Sequence, residues 1–286
     1  MNPASVLNVA FYHFASVGDC SSKRAPLADF LRKEGVRGTV LLSPEGINCF
    51  LAGSEQSVEA SMSEIFRLTE IPAAKVAVKR SWSTKIPFRR TLVRLKKEII
   101  PMGIDTVVPA VRSSPYVSPT TLKRWLDEGE EVLLIDTRND YEIALGTFRG
   151  ALRLGLKHFR DFARIAAGKR AVIEAQAKGK KIVTFCTGGI RCEKAATWME
   201  SEGFKDVSQL EGGVLGYFEQ VGSAHWDGSC FVFDQRVALD PALRPTGHHL
   251  CFACREVLTD GDIVSPLYIE DQFCPHCHPS RKNRDL

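Results

Sequence analysis

The chain has 286 residues, is 44% apolar and 25% charged, and carries a formal net charge of +4 with nine cysteines. That balance excludes a disordered or fibrous chain, and the length predicts two or three domains. No apolar run approaches the roughly 20 residues of a membrane helix, and residues 1–10 put no basic group ahead of an apolar stretch, so the expectation is a cytoplasmic protein whose cysteines serve thiol chemistry or metal binding rather than disulfides.

Residues 5–15 open with a strand-like run through Val9 and Phe11. A helix follows, with Pro26 expected in its first turn, Leu27, Phe30 and Leu31 on one face, and Gly35 as its stop. Val36–Ser43 reads as a second strand, Pro44-Glu45-Gly46 as a turn, and Ile47–Ala52 as a third strand. Ser54 is placed to cap a second helix whose Val58, Met62, Ile65 and Phe66 share a face, and Lys75–Trp82 reads as a fourth strand. The order β-α-β-β-α-β predicts a ferredoxin-like α+β domain over residues 1–100.

Residues 79–97 are basic throughout: Lys79, Arg80, Lys85, Arg89, Arg90, Arg94, Lys96 and Lys97 occur with no acid among them, and Trp82 and Phe88 are interleaved. From Thr91 to Ile99 the pattern alternates, which sets Val93 and Leu95 on one face and Arg94 and Lys96 on the other. Such a face suits a phosphate backbone with stacked bases, and equally a solvated strand. Arg80, Lys85, Arg89, Arg90, Arg94 and Lys96 are the candidate RNA-binding residues.

Pro101, Pro109, Pro115 and Pro119 punctuate a stretch without sustained period, read as a linker over 101–117. Ser118-Pro119 then looks like an N-cap and first helical residue, with Leu122, Trp125 and Leu126 as the apolar face. Strand and helix alternate from here to about residue 225. Val132–Ile135 is a near-continuous apolar strand ending at Asp136-Thr137-Arg138, Gly150–Leu152 adds a short one, and Val207–Leu210 is the last clear strand. An α/β domain with a parallel sheet is expected, its site beyond the carboxyl ends of the strands, where Asp136, Arg138 and Cys186 all fall.

The most informative stretch is Cys186-Thr187-Gly188-Gly189-Ile190-Arg191-Cys192. A β-branched strand, Lys181–Phe185, precedes it and a helix follows it. Gly188 and Gly189 are expected to take positive φ and turn successive backbone N–H groups inward, and the helix start adds its free N–H groups. Thr187, Gly188, Gly189 and Ile190 thus form an anion cradle, Arg191 adds a fixed charge, and Cys186 is the thiol whose proton such a cradle removes. Cys192, in the first helical turn, has two readings: a resolving thiol for an oxidised or persulfidated Cys186, or a small residue packing the helix on the sheet.

In the tail, Cys251-Phe-Ala-Cys254 and Cys274-Pro-His-Cys277 are two C-x2-C knuckles, which predicts a structural zinc site of four thiolates. His248, His249, His276 and His278 are either substitute ligands or surface residues. Asp260-Gly261-Asp262 reads as a turn without a calcium-loop ligand series. A tail this short needs a metal or a docking surface to stay folded. The terminal Arg281, Lys282 and Arg284 read as a frayed basic end.

Asp136-Thr137-Arg138 with Glu142, Gly146 with Gly150-Ala151, the Cys186–Arg191 loop and Leu210-Glu211-Gly212-Gly213 together resemble the rhodanese domain, over roughly residues 118–224. Tyr217 departs from it, standing near where many such domains have Trp. The resemblance implies that Cys186 carries a persulfide or related thiol adduct, and the six residues Cys186–Arg191 match the sulfur-handling branch rather than the phosphatases, whose loop is one residue longer.

The whole chain resembles a narrower group, the oxygen-dependent tRNA uridine hydroxylases, which make 5-hydroxyuridine at the wobble position. The match runs through Pro44-Glu45-Gly46-Ile47-Asn48, Pro87-Phe88, Lys96-Lys97-Glu98-Ile99, the Cys-Thr-Gly-Gly-Ile-Arg-Cys loop, and Trp226-Asp-Gly-Ser-Cys230-Phe-Val-Phe-Asp234-Gln-Arg236-Val. It implies an acylphosphatase-like first domain that binds tRNA, a rhodanese-like second over 118–225, a Cys-rich extension over 226–286, catalytic Cys186 with Cys192 as a characteristic second cysteine, and molecular oxygen as co-substrate. No nicotinamide or flavin fingerprint and no iron triad is legible. A sulfur or thiol donor is a further expected partner. A plain sulfurtransferase and a non-catalytic RNA- or partner-binding module are the competing readings.

Overall fold

The computed structural model describes residues 6–251, 253–270 and 272–279; Ser5 and the terminal Arg281, Lys282 and Arg284 lie outside them. The chain divides into two compact units, one of residues up to Ser114 with Glu193–Glu202, the other of Pro115–Cys192 with the chain from Gly203 onward.

In the first unit, β1 (Val6–Phe14), α1 (Cys20–Lys33), β2 (Arg37–Ser43), β3 (Gly46–Gly53), α2 (Glu55–Thr69), β4 (Lys79–Ser83) and β5 (Thr91–Leu95) follow in order. The sheet runs β4-β1-β3-β2-β5, antiparallel except where β5 lies parallel to β2. Alternate residues of β1 (Leu7, Val9, Phe11) and of β2 (Val40, Leu42) meet Leu27, Leu31, Val58, Met62 and Ile65 of the two helices in one core. Ser54 caps α2 by accepting the Ser57 N–H at 3.2 Å.

The first helix starts earlier than expected, so Pro26 lies well inside it. Asp19, itself at φ 39°, accepts the Ser22 N–H and fixes the start, while Pro26 is exposed, where water takes up the carbonyl that its missing N–H leaves free. The fourth strand is shorter than expected, because Ala73–Lys75 closes into a 3-10 turn and pairing with β1 begins only at Lys79 opposite Ala10. Only Val93 of the expected apolar face of β5 is buried; Leu95, next to the strand's end, is 42% exposed.

The body of the helix that follows the glycine loop belongs to this unit. Lys194, 2% exposed at its side chain, donates to Glu45 at 2.8 Å and to Glu98 at 2.6 Å and lies 5.8 Å from the Phe14 ring. Glu193 accepts from Tyr12 at 3.0 Å and from Ser113 at 2.5 Å. Glu45 and Glu98 come from the Pro-Glu-Gly and Lys-Lys-Glu-Ile motifs, so those two stretches meet at one buried ammonium.

The second unit opens with β6 (Tyr116–Val117) and α3 (Pro119–Asp127), capped by Ser118, which accepts the Thr121 N–H at 3.1 Å. Then come β7 (Val132–Asp136), α4 (Asp140–Ile143), β8 (Gly146–Phe148), β9 (Leu152–Arg153), α5 (Phe162–Gly168), α6 (Arg170–Ala177), β10 (Lys181–Phe185), α7 (Ile190–Ser201, shared with the first unit), β11 (Val207–Leu210) and α8 (Gly213–Val221). The sheet is parallel throughout, in the order β6-β11-β10-β7-β9. Val183 and Phe185 of β10, Leu134 of β7 and Phe148 pack on Val214, Tyr217 and Phe218 of α8. Tyr217 is fully buried, donates its hydroxyl to Ala224 O at 2.9 Å and stacks edge-on with Phe148.

The extension adds β12 (Trp226–Gly228), which pairs antiparallel with β8, and β13 (Cys230–Phe231), which pairs with β14 (Ala238–Leu239) as a hairpin. β15 (His249–Leu250), β16 (Val257–Leu258) and α9 (Asp260–Ile263) carry the cysteine knuckles. Among the described residues, no helix is long and apolar enough to cross a membrane.

Candidate active site

The apolar strand β10 ends at Phe185 and delivers Cys186 to the carboxyl edge of the parallel sheet, fully buried. The loop is held from the far side by α8, whose first amides, Val214 N–H and Leu215 N–H, donate to Cys186 O at 2.9 Å and Thr187 O at 3.0 Å. Gly213 makes this approach possible: it sits at φ 61°, and a Cβ there would lie 2.4 Å from Cys186 O. Of the loop glycines only Gly189 takes positive φ, at 106°; Gly188 does not, and its missing Cβ faces open space. The cradle therefore turns on one glycine, not two.

Gly189 N–H donates to Cys186 Sγ at 3.1 Å, and the Arg191 N–H and the Cys192 thiol are near enough to act on its charge. Burial alone pushes the Cys186 thiol up, but the Cys192 hydrogen bond, the Arg191 charge and the two amides prevail and bring it from 9.0 to about 6. Cys192 moves the other way: burial, the hydrogen bond it gives Cys186 and the charge there raise it well above the ordinary thiol range. The two shifts run in opposite directions, so the surroundings favour negative charge on Cys186 and the proton on Cys192. Thr137 Oγ1 lies 3.7 Å from Cys192 Sγ.

Arg191 is 4% exposed and forks onto Glu142, with Nη1 to Oε2 at 2.6 Å and Nη2 to Oε1 at 2.7 Å. Glu142 also accepts from Thr187 Oγ1 at 3.2 Å and from Asn139 N–H at 3.1 Å. It is fully buried, which by itself raises its pKa, yet Arg191, then Arg138 and the Asn139 amide hold it below the usual carboxylate value. Glu142, in the first turn of α4, is thus the residue that sequence reasoning left out of the site. Its legible signal was its place beside Asp136-Thr137-Arg138 in the rhodanese-like motif, where it was given no role in the site.

Asp136 and Arg138 form a second buried pair, 2.6 Å apart at the closest atoms. Their other hydrogen bonds go to Thr147 Oγ1 and Gly146 O, and the guanidinium lies 5.0 Å from the Trp226 ring. They fasten β8 and Trp226, and it is Glu142 that reaches Arg191. Cys230 also neighbours the loop through Thr187, but burial, outweighing Arg138, pushes its thiol up to about 12, so it stays protonated.

The candidate RNA-binding residues do not form one face. Arg80 is on β4 and Arg94 on β5, at opposite edges of the sheet, with Lys85, Arg89 and Arg90 in the connection that crosses between them. Arg80 is paired with Glu59 of α2, an acid outside the stretch in which none occurs. Lys85, Arg89, Arg90, Arg94 and Lys96 are all exposed.

Residues 6–99 match the family model of the UPF0176 acylphosphatase like domain, and residues 118–220 that of the rhodanese-like domain. Over 277 residues the chain is 44% identical to a tRNA uridine(34) hydroxylase of Cupriavidus taiwanensis, covering 95% of this chain and 96% of the relative. The chain belongs to the tRNA uridine(34) hydroxylase family. Proteins of the same name from Paraburkholderia xenovorans (45% identical, 97% and 98% covered) and Ralstonia nicotianae (46%, 95% and 96%) are similar to it at almost full length. The hydroxylase family resemblance read from the motifs thus holds along the chain, with an acylphosphatase-like domain followed by a rhodanese-like one.

The four tail cysteines come together, their Sγ atoms all within 4.8 Å of one another. Cys251–Cys277 and Cys254–Cys274 are 3.6 Å apart and Cys274–Cys277 3.8 Å. A tetrahedron of thiolates at the usual Zn–S distance of about 2.3 Å has edges of about 3.8 Å, so the donor set fits zinc. Burial opposes ionisation of Cys251, but the Cys254 and Ala253 amides bring it to about 7. His276 pairs with Asp262 at 3.0 Å and His248 with Thr246 at 2.6 Å.

Proposed function

We propose that this protein hydroxylates uridine 34 of tRNA at carbon 5, with Cys186 as the working thiol and molecular oxygen as co-substrate, in the cytoplasm. The observation that carries the reading is a buried Cys186 whose Sγ accepts the Gly189 N–H at 3.1 Å in the same loop as Arg191 and Cys192, in a chain collinear with named tRNA uridine(34) hydroxylases. The dithiol supplies the two electrons that oxygen needs. One oxygen atom enters the carbon 5–hydrogen bond as a hydroxyl, the other leaves as water with the Cys192 proton and one proton from solvent, and Cys186 and Cys192 end as a disulfide. An external thiol then returns the pair to its reduced form. Arg191, with Gly189 N–H, holds negative charge on the Cys186 side of the pair. Nucleoside mass spectrometry on tRNA from cells lacking the protein tests the reading: 5-hydroxyuridine and its derivatives vanish and the wild-type gene restores them. Persistence of the nucleoside, with robust thiosulfate-dependent sulfur transfer by the purified protein, would replace the reading with that of a sulfurtransferase.

The tRNA docks on the basic segment from Lys85 to Lys96 rather than on Arg80, whose charge Glu59 compensates. Reversing Arg94 and Lys96 together to Glu weakens tRNA binding and makes the slope of log affinity against log salt shallower, by about one unit for each phosphate no longer neutralised, whereas Arg80→Glu has the smaller effect. Filter binding across a salt series reads both, and unchanged affinity in the double variant would remove tRNA from this surface.

Cys251, Cys254, Cys274 and Cys277 hold a structural zinc ion that closes the knuckles of the tail. Purified protein contains one zinc per chain by elemental analysis, and a strong chelator lowers its apparent melting temperature. Metal-free protein with unchanged melting would refute this.

A further inference from the structure

We infer that Phe233, at the tip of the β13–β14 hairpin, is the platform on which the base of uridine 34 stacks while it is hydroxylated. The inference rests on the proposed function. The hairpin belongs to the Trp226–Val237 motif, for which the thiol chemistry itself gives no use.

Phe233 is 46% exposed although it belongs to an aromatic cluster: its ring is edge-on to buried Phe231 at 5.1 Å, and Phe231 is edge-on to Tyr141 at 5.2 Å. The Arg191 guanidinium lies 5.6 Å from the Phe233 ring centre. The same arginine carries the charge that acts on Cys186, so the exposed ring adjoins the thiolate's own counter-ion. The hairpin tip is built to hold the ring still. Asp234 takes the Arg236 N–H at 2.9 Å and grips its guanidinium through Nε at 2.9 Å and Nη2 at 2.5 Å, and Val232 N–H donates to Val237 O at 2.8 Å. Val237, a β-branched residue, is kept at φ 62°, a strained conformation that its surroundings must enforce.

Single-stranded RNA bases are recognised by splaying them onto aromatic rings and arginine planes, and a base must leave its own stack before chemistry reaches its carbons. A half-exposed phenyl ring held beside the buried guanidinium of the thiol loop offers the first of these surfaces. Because bonds to phosphates hold the rest of the tRNA, removing the ring lowers the fraction of bound tRNA with its base in place and leaves docking intact.

The test compares Phe233→Ala, Phe233→Leu and Phe233→Tyr with wild type, with thermal melting to show that each is folded. Leucine keeps an apolar contact on Phe231 without an aromatic face. The expected result is a kcat reduced by about ten-fold in the alanine and leucine variants, KM for tRNA unchanged, the pH profile unmoved, and recovery in the tyrosine variant. A second arm uses an anticodon stem-loop carrying 5-fluorouridine at position 34, bound to protein with Cys186→Ser. Its fluorine resonance is shifted upfield by the ring current when Phe233 is present and not with alanine or leucine. Wild-type kcat in Phe233→Leu, or a resonance that ignores residue 233, overturns the inference. Wild-type protein without hydroxylation overturns the proposed function instead, and the fluorine arm then still decides where the base sits.

Discussion

Replacing Cys186 by serine will abolish hydroxylation, by about a thousand-fold or more, while leaving the fold unchanged. Serine fills nearly the same buried volume and accepts the same Gly189 amide, so melting temperature and tRNA affinity remain those of wild type. What disappears is the thiolate. The wild-type pH profile carries the same information. Because the loop lowers the Cys186 pKa to about 6, the charged form is present above that pH and is lost as pH falls through it. Activity limited by the thiolate is therefore level between pH 7 and 8 and declines on its acid limb around pH 6. The ultraviolet absorbance of the thiolate, taken as wild type minus the Cys186→Ser variant, titrates along the same curve. An absorbance that rises only near pH 9 would show that the cradle does not ionise the thiol.

Glu142→Gln has the second large effect, on stability. It leaves the Arg191 guanidinium almost wholly buried without its carboxylate partner, a situation that costs about 3–5 kcal/mol and lowers the apparent melting temperature by on the order of 10 °C. Thr187 loses a charged acceptor in the same step. The double variant Glu142→Gln with Arg191→Gln is less destabilised than the sum of the single changes, since each charge is costly mainly in the absence of the other. A Glu142→Gln protein that melts within about 1 kcal/mol of wild type would mean that the pair is not a structural anchor of the loop.

Much of the site could be read from the sequence because its parts are local. A strand, a glycine and a helix start lie side by side around Cys186, and the thiol, its amides and Arg191 fall within one short loop. The knuckles were legible for the same reason: each pair of thiolates is fixed by its own turn, and only the meeting of the two pairs is long-range. Glu142 was hidden because the chain carries it to Arg191 from the far end of another strand–helix unit, and nothing in its own neighbourhood says which cation it meets. The basic stretch misled in the opposite sense. Arg80 and Arg94 are close in sequence, but the connection between β4 and β5 crosses the whole sheet and sets them on opposite edges. Lys194 and Glu193 escaped notice because charged residues on a helix normally face water, and only the fold reveals that these two do not.

The split of α7 between the two units bears on how such a chain can evolve. Its first turn carries Arg191 and Cys192, and its next residues belong with the acylphosphatase-like fold, where Lys194 is neutralised by Glu45 and Glu98. A gene fragment encoding the rhodanese-like part alone would inherit a lysine matched to two carboxylates it no longer possesses. Recombination that swaps one half for a foreign counterpart must therefore bring the matching charges with it or replace Lys194. Chimeras that keep α7 but replace the chain carrying Glu45 and Glu98 will need this lysine redesigned first.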